Sequence, residues 1–137
     1  MNFQYTENRP HVLADLEYYP LDRPVSPGAE PSRTVRALVD TGATHIVARP
    51  SLISSLNLQF ATNISHAGVG SERRDIPAYA GSVRLTDEAG LSHRVYDLLI
   101  LAEELESHDM IIGMWFLKFF TCTFFPDKRF SISWNAT

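Results

Sequence analysis

The chain has a single cysteine, Cys122, so no disulfide can form within it, and its thiol content does not point to an oxidising compartment. No apolar run approaches the ~18 residues of a membrane-spanning helix. The opening residues, Met1-Asn2-Phe3-Gln4-Tyr5-Thr6-Glu7, lack the apolar core of a signal peptide. A basic excess is missing too: 12 Lys and Arg stand against 16 Asp and Glu, for a net charge of −4. A nucleic-acid or anionic-membrane surface would want the opposite sign. The five histidines, His11, His45, His66, His93 and His108, show no HxH or HExxH spacing, so no metal site is expected. Together these absences predict a soluble chain, cytoplasmic rather than secreted, with neither nucleic acid nor membrane as a partner.

What is present is an ordinary globular composition. The 137 residues are 45% hydrophobic and 20% charged, which suits one domain able to bury a core without staples. A single domain over residues 1–137 is expected, with an N-terminal arm at 1–10 and a Pro-rich loop at 20–32. Short apolar segments alternate with Gly, Pro, Ser and charge, a mostly β pattern. Val12, Ala14, Leu16 and Tyr18 alternate with His11, Leu13, Asp15 and Glu17, predicting a half-buried strand. Residues 34–39 form a strand that runs into Asp40-Thr41-Gly42-Ala43. A short helix is predicted from Pro50, where a proline at the first turn loses no needed N–H. Gly68-Val69-Gly70-Ser71 is the tip between two extended arms. Residues 110–112 predict a buried strand stopped by Gly113, then a short helix over 114–120. Two closing strands flank a Pro126-Asp127-Lys128 turn.

Asp40-Thr41-Gly42 alone carries little weight, since such a tripeptide occurs in on the order of a few per cent of chains this long. It reads equally as an Asx-type turn after a strand. Its setting says more. An aspartate at the end of a buried strand is costly unless it is hydrogen-bonded or functional. Thr41 adds a hydroxyl, and Gly42 lets the backbone pass close to a partner or substrate.

Leu38-Val39-Asp40-Thr41-Gly42-Ala43-Thr44 resembles the catalytic loop of the retropepsin-like aspartic proteases. Ile111-Ile112-Gly113-Met114-Trp115-Phe116-Leu117 is similar to the apolar-apolar-Gly segment and helix that buttress that loop. Gly68-Val69-Gly70 sits where the family carries its flap. Two departures stand out: Trp115, where cellular and bacterial relatives often have an acidic residue, and Ser71, where another glycine is common.

The resemblance implies a closed β barrel with one or two short helices, and an endopeptidase that needs no metal or cofactor. It implies a homodimer in which two copies of Asp40 share one proton and activate a water against an extended peptide. By the same resemblance, Asp40, Thr41 and Gly42 would be catalytic. Ala43, His45, Val47, Gly68, Val69, Gly70 and Ile112 would bind substrate, with His45 alternatively a polar rim residue. The C-terminal segment, with Phe130, Ile132 and Trp134 alternating, is expected to pair with the partner's terminus. The alternative reading is a catalytically silent dimerisation or peptide-binding module on the same fold.

Overall fold

The computed structural model describes residues 1–67 and 73–135. Ten strands and two short helices follow in chain order: β1 (Asn2–Gln4), β2 (His11–Tyr18), β3 (Ser32–Val39), β4 (Ile46–Ala48), α1 (Pro50–Ser55), β5 (Phe60–Ala67), β6 (Arg73–Thr86), β7 (Ser92–Ala102), β8 (Met110–Ile112), α2 (Met114–Leu117), β9 (Phe120–Phe124) and β10 (Arg129–Trp134). The larger sheet runs β2-β3-β8-β4-β7-β6-β5, and a further β2–β6 pairing closes six of its strands into a barrel. Closure removes the free edges that an open sheet would expose. β5 lies outside the ring, paired only to β6.

The barrel interior is filled by alternate residues of its strands. Leu16, Ala37, Ile46, Val83, Leu85, Ile100, Met110 and Ile112 are all fully buried there, joined by Phe116 of α2. Each fully buried side chain of this size contributes roughly 1.5–3 kcal/mol. The opposite faces of β4, β7 and β8 meet the β5–β6 arms in a second, smaller apolar cluster. It holds Val47, Ile76, Ala78 and Leu101, edged by Ile64, Leu99, Leu105, Ile111 and Trp115.

β2 departs from the half-buried strand its alternation predicts. Only Leu13 on it is exposed, and Asp15 and Glu17 are both buried. The reason is its position in the closing seam, between β3 and β6. Asp15 accepts from Arg84 Nε at 2.9 Å and from the Thr34 hydroxyl. Glu17 is gripped by Arg94 through two bonds of 2.6 and 3.1 Å. The polar face of β2 is thus covered by arginines rather than by water.

A separate three-stranded sheet, β1-β10-β9, is formed by the two ends of the chain. The arm at 1–10 is therefore in part a strand: Phe3 is buried and stacks on Phe130 at 5.1 Å between centroids. β10 is the central strand of this sheet, paired to β9 over residues 130–134 and to β1 over residues 129–131, so its first half is flanked on both sides within its own chain. Phe130 and Ile132 are buried, while Trp134 is exposed and stacks on His93 at 4.3 Å. α2 is also shorter than predicted, because Phe120 already starts β9.

Candidate active site

β3 carries the chain out of the barrel wall and into Asp40. Its last residues pair in parallel with β8, Leu38 opposite Ile111 and Val39 opposite Ile112. The Asp40 N–H continues that ladder, donating to the Ile112 carbonyl at 3.0 Å. The chain then turns sharply, with Ala43 N–H returning to the Asp40 carbonyl at 3.2 Å. Within this turn Gly42 N–H donates to Asp40 Oδ1 at 2.9 Å. That bond points the carboxylate along the loop while leaving Asp40 half-exposed. A Cβ on Gly42 would stand 3.3 Å from the same oxygen, so a side chain there would press on the carboxylate. Thr41 and Gly42 are exposed, and Ala43 is half-buried.

The loop is held from behind by α2. Met114 N–H donates to the Ala43 carbonyl and Trp115 N–H to the Thr44 carbonyl, each at 2.8 Å. The orphan donors at a helix start are thus spent on the backbone that follows Asp40. This approach is possible only because residue 113 is glycine. A Cβ there would lie 2.3 Å from the His45 carbonyl oxygen and 2.5 Å from that of Ala43, and backbone cannot give way by that much. The Trp115 ring then packs edge to face with His45, at 4.4 Å between centroids and 88° between planes. Trp115 thus packs beside the loop that follows Asp40.

The remaining sequence-predicted residues divide by face. Val47 is buried in the second cluster, beside the β5–β6 arms. Ile112 is not on that face: it is fully buried in the main core with Ile46 and Phe116. Its neighbour Ile111, half-buried, is the residue that meets Val47 and Trp115. Successive strand residues point to opposite faces, so the register of Val39 with Ile112 decides which isoleucine points where. Gly68, Val69 and Gly70 lie outside the described residues. The arms leading to them are present as β5 and β6, paired from Phe60 opposite Tyr79 to Ala67 opposite Arg73. Among the described residues no group of three or more His, Cys, Asp or Glu side chains could hold a metal ion.

A family model described as aspartyl protease matches residues 28–116. This chain belongs to the aspartyl protease family. Among solved structures, the EIAV protease complexed with the inhibitor HBY-793 is similar over 85% of this chain and 92% of its own, at 16% identity and a TM-score of 0.43. No curated protein matches the chain.

Proposed function

We propose that the protein is an aspartic endopeptidase that works as a homodimer, each subunit contributing Asp40 to one shared site. The observation that carries this reading is the Asp40 loop itself: a carboxylate oriented by the Gly42 N–H at 2.9 Å, half-exposed, and braced by α2 through Gly113. The chain has one Asp-Thr-Gly, and its 137 residues make a single barrel. A second copy would supply the second carboxylate, since a two-fold axis through the loop brings the same residue to itself.

In such a dyad two close carboxylates share one proton, because like charges at that distance do not both ionise cheaply (aspartic-protease dyads are the standard illustration of this rule). The ionised member takes a proton from a water lying between them as the water oxygen attacks the scissile carbonyl. The protonated member donates to the carbonyl oxygen. Collapse of the tetrahedral intermediate then breaks the C–N bond, with a proton passing to the leaving amine. Thr41 holds the two loops in register, and Gly42 offers its carbonyl to the peptide. Ala43, His45 and Val47 line the groove. Ile111 replaces Ile112 as the apolar wall on the β8 side. Gly68, Val69 and Gly70 would also bind the extended substrate.

Asp40→Asn tests the reading. The change is nearly isosteric, so the fold stays intact by circular dichroism, while cleavage of a denatured protein substrate falls by at least ~10²–10⁴-fold. Undiminished cleavage by the purified variant would remove Asp40 from the mechanism.

A further inference from the structure

Three segments meet behind the Asp40 loop: the turn of the N-terminal arm, the start of β2, and the connection over residues 103–109 that leads into β8. The arm turn is a tight hairpin with Glu7 and Asn8 both in the left-handed region, at φ of 54° and 63°. It is closed by Thr6 N–H to the Arg9 carbonyl at 2.9 Å and Arg9 N–H to the Thr6 carbonyl at 3.1 Å. The Pro10 carbonyl accepts Val39 N–H at 2.8 Å, so the arm abuts the residue immediately before Asp40. His11 is 4% exposed, and its ring lies 5.3 Å from that of half-buried His108.

The partners at the two ends of this pair determine where the protons sit. A carbonyl only accepts, so His11 Nδ1, 3.0 Å from the Thr6 oxygen, carries hydrogen. A guanidinium only donates, so His108 Nε2, 3.3 Å from Arg9 Nη1, is an acceptor. In a neutral ring His108 Nδ1 then carries the hydrogen and donates to His11 Nε2, 3.4 Å away. Both ends demand the same polarity, from Arg9 through His108 and His11 to Thr6. A proton added to His11 would set N–H against N–H between the rings. One added to His108 would set N–H against the guanidinium.

Among the described residues no carboxylate pairs with either ring to offset such a proton. His108 is faced by Arg9 from the arm, His11 from β2, Arg36 from β3 and Arg49 from the start of α1. Arg49 Nε also donates to the His108 carbonyl at 2.7 Å. The carboxylates on these elements are otherwise engaged or turned outward. Glu7 and Asp109 lie 3.6 Å from Arg36 and Arg49 respectively, Glu103 pairs with Arg74 at 2.7 Å, and Glu104 and Glu106 are exposed. Burial first, and then this positive surrounding, hold His108 below the ordinary histidine range.

We propose that the His11–His108 pair is an acid-released latch: neutral, it fastens the N-terminal arm to the 103–109 segment behind the Asp40 loop, and protonation of either ring unfastens the arm. The proposal goes beyond the catalytic reading and does not depend on it. An opening that takes up one proton grows about tenfold for each pH unit, starting near the ordinary histidine pKa of ~6.5 and continuing down to that of the fastened state. The arm carries β1 into the terminal sheet, so order in that sheet declines on the acid side of neutral.

Nitrogen-15 correlation spectra of the imidazoles in the full chain at pH 7.5 test the polarity directly. Both His11 and His108 are expected as neutral Nδ1–H tautomers, and an Nε2–H tautomer at either would overturn the latch. Amide exchange tests the release. The amides of Tyr5, Thr6 and Arg9, all hydrogen-bonded in the closed arm, are expected to exchange about fivefold faster at pH 5.5 than at 6.5, after correction for intrinsic rate and relative to β7 amides. A double variant, His11→Gln with His108→Gln, is expected to lose that dependence. Wild-type arm exchange that ignores pH, or a slope that survives in the double variant, would overturn the proposal. The two wild-type measurements decide it even if the variant does not fold.

Discussion

At the scale of single residues, two glycines and two isoleucines shape the candidate site. Gly113→Ala puts a methyl group 2.3 Å from a backbone oxygen, so α2 and the Asp40 loop cannot both keep their places. Thermal melting and peptide cleavage are expected to fall together in this variant, and retention of both would contradict the buttress. The isoleucines separate stability from recognition. Ile112→Ala, in the sealed core, is expected to cost about 2–5 kcal/mol in denaturant unfolding. Ile111→Ala is expected to cost less and to change KM among peptides that differ beside the scissile bond. The turn at Asp40 and Gly42 was legible in sequence because its pattern is local, starting at the residue directly after an apolar strand end. Which isoleucine faces outward was not legible. Adjacent residues of one type look identical until the register with β3 is known.

At the scale of elements, the order of strands could be read from apolar runs and their punctuation, and what escaped was pairing across distance. β1 has three residues, two of them polar, and gains its identity only from β10, which lies more than a hundred residues away. β10 was expected at an edge and is central for the same reason. The buried face of β2 was hidden because its cover, Arg84 and Arg94, sits on β6 and β7. That cover yields a stability prediction. Arg94→Met leaves Glu17 buried without its partner, which should destabilise the fold by about 3 kcal/mol, measured by urea unfolding. The double change Glu17→Leu with Arg94→Met should recover most of the loss, because an apolar pair of similar volume leaves no orphaned charge. No recovery would mean that Arg94 serves packing rather than charge.

At the scale of the whole molecule, acid acts on stability in one direction. His93, half-buried between Phe120 and Trp134, and His108 are both held below the ordinary histidine value, His93 by its partial burial. The unfolded chain therefore binds more protons than the folded one as pH falls below ~6.5, and stability declines from there. Asp87 is depressed instead, first by the Asn2 N–H and also by those of Leu91 and Ala89. Its contribution is present above the ordinary carboxylate value and is lost as pH falls below it. Melting temperature is thus expected to be highest near neutral pH and to drop in two stages. A melting temperature that rises from pH 7 to 5 would contradict this. Cleavage by a shared-proton dyad instead calls for a bell-shaped profile on the acid side of neutral, so activity and stability pull apart in the same window.

The central claim is that one active site needs two copies of this chain, and mixing measures it directly. Wild-type protein at fixed concentration is equilibrated with increasing amounts of the Asp40→Asn chain, and cleavage of a fluorogenic peptide is followed. Random pairing in a two-fold dimer predicts that a ninefold excess of the variant lowers activity per wild-type chain about tenfold, because most wild-type subunits then face an asparagine. Activity that stays constant across the titration would show that a single chain cleaves alone, and that the second carboxylate does not come from a second Asp40.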